Sequence, residues 1–324
     1  MQLRAEPVDH TGAPLAVLRA FEKFARSAAL PSLLLQAEAL RALSFLAKAC
    51  IPCLLLKGSA LAYWAYPQPH LRECGDVDLL LPSRAHAERL SALLTASGYE
   101  RAETSGELVA YELLCRRPVS GEWHIELDIH WRLANSPLFA DAFTFEELMA
   151  DSIAIPKLAP NARGLGPVHA LLHACIHRAL NLSIGIDDKL KWLYDMELLM
   201  ALLTPADWQR LVELAKAKKL AGVVRSALEA AALTFGRKLP LELIAALLHA
   251  ELAEPVDAQR LSDWHYMQRK TYQSLPTIWQ KLIWLWQRLF PSRDYLQYLY
   301  GVGYTSYPAL MAVRIKRVLR RLKN

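Results

Sequence analysis

The sequence predicts an α+β protein: a short strand-and-helix core between an N-terminal helical segment and a C-terminal half that is all helix. Three observations predict it. Apolar residues at helical spacing fill Ala16 to Ala49, with Leu33, Leu34, Ala37, Leu40, Leu43 and Leu46 on one stripe. From Ile51 to about Ile155 short apolar or alternating runs are separated by turn residues, the pattern of strands interleaved with helices. From Val168 onward nearly every segment returns to a helical period. The boundaries fall at 1–50 (helices packing on the core), 51–160 (the core) and 165–324 (the helical half with a basic last helix).

In order along the chain, Pro31 suits a first helical turn. Leu54-Leu55-Leu56 predicts a buried strand near 53–57 that runs into Gly58-Ser59, and a helix follows from Ser59 to Tyr66. A strand is predicted at 76–81, then a helix from Arg84 to Ser97, opened by Ser83 and closed by Gly98. Further strands are predicted near 108–116 and 123–131. The prolines at 156, 160 and 167 and the glycines at 164 and 166 predict a loop. Helices are then expected at 168–181, 188–203, 205–219, 221–234, 240–252, 276–290 and 308–322. Thr204-Pro205-Ala206-Asp207 is a strong helix start.

Composition excludes several classes. Charged residues are 22% and the hydrophobic set 53% of the 324 residues, an ordinary globular balance rather than a disordered one. Met1–Glu6 lacks the apolar run of a secretory leader, and no stretch reaches the ~18 uninterrupted apolar residues of a membrane span. Five cysteines, an odd number thinly spread, fit reduced thiols and a cytoplasmic location. Cys50-Ile51-Pro52-Cys53 closes a helix and opens a strand, the reverse of a redox CxxC. The net charge of +6 sits in the tail, on Arg314, Lys316, Arg317, Arg320, Arg321 and Lys323. Such a helix is a solvated face, an anionic-lipid contact or a contact to nucleic-acid phosphates. The Trp-rich run Ile278–Trp286 is expected in the core.

The chemistry concentrates on two strands. Side chains alternate along a strand, so Asp76 and Asp78 emerge on one face. Two acids so close repel one another and are tolerable with a divalent cation between them, and oxygen ligands suit magnesium or manganese. Trp123–Trp131 alternates without a break: Trp123, Ile125, Leu127, Ile129 and Trp131 on one face, His124, Glu126, Asp128 and His130 on the other. If this strand lies beside the first, Asp128 joins the carboxylates.

These elements resemble the DNA polymerase β-type nucleotidyltransferase superfamily, and more specifically the bacterial nucleotidyltransferase family often left uncharacterised. The likeness rests on Lys57-Gly58, Arg72 followed by Asp76-Val77-Asp78-Leu79-Leu80, Asp128-Ile129-His130-Trp131, the helix with His169, His173 and His177, and Leu190-Lys191-Trp192-Leu193-Tyr194-Asp195, spread over about residues 30–300. The lysine before the Gly-Ser turn belongs to the subgroup alone.

The resemblance implies a small mixed-sheet core and transfer of an NMP from an NTP to an acceptor, with pyrophosphate leaving. It implies two Mg2+ (or Mn2+) ions ~3.5–4 Å apart, held by Asp76, Asp78 and Asp128, with Asp128 also helping to take the acceptor's proton. Lys57, Gly58, Ser59 and Arg72 are implied in binding the nucleotide. His130 and Glu126 are candidates to orient a ligand carboxylate. His173 and His177 are candidates to line the cleft, whereas His169 suits packing. Asp195 would pair with one of these histidines or cap its own packing. The acceptor is left open among a small molecule, a sugar or polysaccharide precursor, a peptide and an RNA end. The alternatives are a catalytically silent binding protein of this fold and a peripheral membrane or nucleic-acid interaction protein acting through the basic tail. A kinase-like phosphotransferase would need its own Gly-rich and HRD elements, and the sequence has neither.

Overall fold

The computed structural model of the chain describes residues 14–102, 106, 108–120, 123–300 and 306–323. Its organising element is the strand that carries Asp76 and Asp78. Seven strands form one mixed sheet: β1 (Leu54–Leu55), β2 (Asp76–Leu80), β3 (Glu100–Ala102), β4 (Glu112–Ser120), β5 (Trp123–His130), β6 (Ile153–Ala154) and β7 (Arg163–Gly164). Their order is β3-β4-β5-β2-β1-β7-β6. β2 runs parallel to β5 and antiparallel to β1. The β2–β5 register sets Asp76 against Glu126, Asp78 against Asp128, and Leu80 against His130.

Period-two alternation then sorts the side chains. Val77 and Leu79, Leu113 and Cys115, and Ile125, Leu127 and Ile129 point into one apolar layer. There they meet Leu35, Ala39, Ala42, Leu43 and Leu46 of α1 (Leu15–Lys48) and Ala87, Leu90 and Leu94 of α3 (Arg84–Thr95). Each such leucine contributes roughly 1.5–3 kcal/mol on burial. The acids share the opposite face, turned toward the helical half. On that side Leu54, Leu56 and Leu80 pack with α5 (Pro167–Ser183), α6 (Leu190–Leu202) and α8 (Ala221–Phe235). A large core thus lies on each side of the sheet, and the polar strand ends open into the seam between sheet and helices.

Several expectations need correction. Pro31 lies inside α1 and not at a helix start. By length and composition Leu30–Lys48 could cross a bilayer, although Gln36, Glu38 and Arg41 interrupt its apolar run. One stripe of it, Leu35, Ala39, Ala42, Leu43 and Leu46, is buried on the sheet, while Leu30, Leu33 and Leu40 are exposed, and its one buried acid, Glu38, accepts hydrogen bonds from Tyr99 and Arg117. The first strand is only two residues long, and α2 (Lys57–Trp64) begins two residues earlier than expected. The region read as a loop contributes β7. Missed altogether were β3 and β6, α4 (Phe145–Ala150), α10 (Trp264–Ser274) and α12 (Arg293–Tyr300). Most of these are too short to show a period, and α10 is mostly polar. The expected helix start at Thr204-Pro205 is that of α7 (Pro205–Ala217), where Thr204 and Asp207 form a capping box. Between α8 and α10 lies α9 (Leu241–Glu251).

The Trp-rich helix α11 (Ile278–Leu289) is not core. Trp284 is 5% exposed, but Trp279 and Trp286 are 71% and 64% exposed, beside exposed Ile278, Leu282, Ile283 and Leu289. The helix docks by one narrow edge. Gln287 Oε1 accepts from the Leu108 N–H at 3.0 Å, and Trp284 and Arg288 lie one turn apart on the inward side. The last helix, α13 (Tyr307–Lys323), rests against this region through Arg314, which donates to the Arg288 carbonyl, and through the Tyr307 hydroxyl, 3.2 Å from the Pro291 carbonyl. Lys316, Arg317 and Arg320 are exposed on it; the side chains of Arg321 and Lys323 lie outside the described residues.

Candidate active site

The site starts from a strained residue. Lys57 opens α2 with φ +47°, in the left-handed region that costs a residue with a Cβ roughly 1–2 kcal/mol. In this conformation its side chain turns back over β2, where Nζ donates to Asp78 Oδ1 at 2.6 Å. The same oxygen lies 3.1 Å from His130 Nε2. Asp128, directly across the strand pair, completes a cluster: one ligand atom each from Asp78, Asp128 and His130 lies within 4.8 Å of the others. Glu112 of β4 stands 3.2 Å from the other His130 nitrogen, Nδ1, but not in line for a hydrogen bond. Asp76 is one strand repeat away on the same face. The closest trio among the described residues thus contains His130 where the sequence reading had Asp76.

The electrostatics are those of crowded carboxylates. Burial and the neighbouring Asp78 charge push Asp76 up to about 6. Burial, then Asp78, Glu112 and Asp76, raise Asp128 well above the usual carboxylate range. Burial works against the charge on Asp78 as well, but Lys57 and His130 outweigh it and hold Asp78 below that range. For Lys57, burial opposes the cation and Asp78 prevails, so the amine stays protonated. A lysine ammonium therefore already sits where a cation is wanted. The two carboxylates suit magnesium or manganese, while the imidazole is a ligand type of softer divalent metals, so the set fits a divalent ion held mainly by the acids.

Two cavities meet at this cluster. The first, about 250 Å³, is lined by Lys57, Gly58, Arg72, Asp76 and Asp78 on the sheet side and by His173, His177, Lys189, Lys191 and Trp192 from the helical half. The second, about 310 Å³, opens at Asp128, His130 and Glu112. Lys57, His173 and His177 line both and form the wall between them. Burial first, and then the Lys57 charge, lower both histidines, His177 to about 3, so the wall carries neutral imidazoles. His169 faces neither cavity: its Nδ1 is 2.8 Å from Asp151 and its ring packs edge-on to Phe143.

The other expected residues are placed as follows. At Gly58 a Cβ would come within 2.6 Å of Cys74 Sγ and 3.2 Å of Arg72 Cζ, so only glycine lets α2 start this close to the loop before β2. The Ser59 hydroxyl points away from the first cavity, donating to the Leu56 carbonyl at 2.7 Å and lying 3.3 Å from the Asp78 amide. Arg72 is buried and forked onto Asp195, Nε to Oδ1 and Nη2 to Oδ2, both 2.7 Å. The Tyr66 hydroxyl also donates to Asp195, at 2.7 Å. Asp195 therefore pairs with Arg72 and Tyr66, not with a histidine, and ties the core to α6. Sequence reasoning missed Lys189, Glu112 and the neutral polar lining of the second cavity. The run Asp187-Asp188-Lys189, just before α6, was the available signal for Lys189.

The profile of a family described as uncharacterised nucleotidyltransferase matches residues 3–236, more than half of the chain. The chain belongs to this family. No curated protein matches it. Among solved structures it is similar to an antigenic nucleotidyltransferase-like protein from Paracoccidioides brasiliensis, at 13% identity and a TM-score of 0.40, over 67% of this chain and 91% of that one. Every motif residue from Lys57 to Asp195 falls inside the nucleotidyltransferase match, whereas Gln268, Thr271 and Arg288 of the second cavity fall beyond it.

Proposed function

We propose that this nucleotidyltransferase is metal-dependent and moves an NMP from an NTP to an acceptor hydroxyl or phosphate. The observation that carries the reading is the Asp78–Asp128–His130 cluster at the junction of two cavities. The acceptor oxygen bonds to the α-phosphorus, the α–β bridging P–O bond breaks, and pyrophosphate leaves. Asp78, Asp128 and His130, with Asp76 beside them, are the residues to hold a divalent ion. Such an ion, when bound, would polarise phosphoryl oxygens and ease ionisation of the acceptor.

The chain's own groups supply the rest. Lys57 offsets phosphate charge, as do Lys189 and Lys191 at the opposite wall. The first N–H groups of α2 have no intrahelical partner and favour an anion, and Gly58 lets the Arg72 guanidinium pack beside them. Asp128, which opens on the second cavity, is placed to take the acceptor's proton. His173 and His177, neutral, can hydrogen-bond without adding charge.

The test is a thermal shift with each NTP, with and without magnesium, on wild type and on the Asp76→Ala/Asp78→Ala variant. A ligand at ~100 times its Kd stabilises the native state by about 2.7 kcal/mol. The expected result is a magnesium-dependent rise in Tm with at least one NTP, lost in the variant. No rise with any NTP would count against the reading.

A second reading concerns where the enzyme works. The exposed Trp279, Trp286, Leu282 and Ile283 of α11, beside the basic α13, fit the surface of an anionic membrane. Cosedimentation with phosphatidylserine-containing vesicles is expected at low salt. It should fall several-fold in Trp279→Ser/Trp286→Ser and with neutral phosphatidylcholine vesicles. Equal binding by wild type and variant would dismiss this reading.

A further inference from the structure

We infer that the second cavity is the acceptor pocket, and that it takes a small hydroxylated molecule bearing an oxyanion, with Arg288 donating to the oxyanion and the Gln268 amide oxygen accepting from a hydroxyl. The inference rests on the nucleotidyltransferase reading and names the acceptor's chemical class. Four observations carry it.

The cavity, at about 310 Å³, has the size of a small-molecule pocket. It opens on Asp128, the group placed to take the acceptor's proton, while the first cavity opens on Asp76 and Asp78. Its wall is rich in neutral polar groups, Asn135, Ser136, Asn181 and Thr271, the residue types that hydrogen-bond hydroxyls.

The decisive observation is a set of buried polar atoms without partners. Gln268 Oε1 and Arg288 Nε both belong to residues lining this cavity, and neither makes a hydrogen bond. His130 Nδ1, on the same wall, faces only the poorly aligned Glu112 carboxylate at 3.2 Å. Such atoms cost roughly 1–3 kcal/mol each when left unsatisfied, so a built site for a polar ligand is the economical explanation. Arg288 adds the sign of the charge. It stacks on Trp284 with Cζ 5.0 Å from the ring centroid. Burial disfavours its charge, Tyr295 partly supports it and Arg314 opposes it, and among the described residues no carboxylate pairs with it. A half-buried guanidinium facing a cavity without a counter-ion calls for an oxyanion. Gln268 and Arg288 come from α10 and α11, beyond the family match, so this end of the pocket is particular to the chain's last third.

The experiment is calorimetry on the full chain with three probes: sn-glycerol 3-phosphate, D-glycerate and glycerol. Each is titrated with the donor side occupied by inorganic triphosphate and magnesium. Wild type is expected to bind one or both anions, phosphate or carboxylate being told apart by the two probes, and not glycerol. Arg288→Gln should weaken that binding at least tenfold, Arg288→Lys should recover part of it, and Gln268→Leu should weaken it several-fold. Triphosphate affinity should stay within twofold throughout, which also shows that the variants fold. Absence of anion binding by wild type, equal binding by Arg288→Gln, or complete displacement of the anion by triphosphate would overturn the inference. Failure of wild type to bind magnesium triphosphate, with Arg288-dependent anion binding intact, would instead remove the nucleotidyl-transfer reading and the acceptor role with it.

Discussion

Asp128→Asn is expected to slow nucleotidyl transfer severely while making the metal-free protein more stable. The two effects have one cause. Asp128 lies opposite Asp78 on adjacent parallel strands, with Asp76 and Glu112 on the same face and one lysine to balance them. Ionising it there is unfavourable, as its raised affinity for protons records. The sign follows from linkage. A carboxylate whose folded pKa exceeds its unfolded one binds its proton more tightly in the native state. Stability then declines as pH rises from the usual carboxylate range through the folded value. The asparagine removes that decline and keeps the shape. We expect a gain of about 0.5–2 kcal/mol at neutral pH, the usual scale on relieving a functional site. The gain should shrink as pH falls toward 4, where wild-type Asp128 is itself protonated. Loss of the proton acceptor and metal ligand should lower kcat by about 10²–10⁴-fold. Urea denaturation in chelator across pH, with turnover measured in magnesium, checks both halves. A variant less stable than wild type at neutral pH would refute the argument from repulsion.

How much of this was legible in the sequence depends on distance along the chain. Asp76, Asp78, Asp128 and His130 were legible because strict alternation assigns a face to every residue of a strand, and strand neighbourhood then fixes the cluster. Residues 123–131 allowed no other reading. Ser59 was misjudged by two residues: with α2 starting at Lys57, its hydroxyl falls over the Leu56 carbonyl instead of the cleft. The Arg72–Asp195 pair spans 123 positions, and nothing local in either segment records it. The Trp-rich helix shows why amphipathicity alone misleads. The period reveals an apolar face, but whether another element covers that face is a property of the tertiary structure, and in α11 the buried edge is the one with Trp284 and Arg288. Gln268 was illegible for a related reason: α10 is polar, and its start is set by Asp263, whose side chain accepts from the Tyr266 amide.

Breaking the Arg72–Asp195 pair is expected to cause the largest loss of stability of any single polar substitution at the site. Arg72 sits in the loop before β2, Asp195 in α6, and both are buried. The fork of two 2.7 Å bonds, with Tyr66 as a third donor to Asp195, is a buried polar fastening between the sheet and the helical half. Asp195→Ala leaves a buried guanidinium facing alanine, and Arg72→Ala leaves a buried carboxylate with only the Tyr66 hydroxyl. Either should cost about 3–5 kcal/mol, because an uncompensated buried charge, not the lost attraction alone, sets the penalty. Arg72→Met/Asp195→Leu should recover most of it, since an apolar pair of similar volume needs no desolvation of ions. Activity separates the two roles of the arginine. Its Nη1 edge lies beside Gly58 at the first cavity, so the double variant should remain folded yet bind NTP more weakly. If Arg72 served only as a fastener, the double variant would regain NTP affinity along with stability. Denaturation midpoints of the two single variants and the double one, set beside their NTP affinities, distinguish these outcomes. Stability in the double variant as low as in either single one would show that the pair is not what binds the two halves.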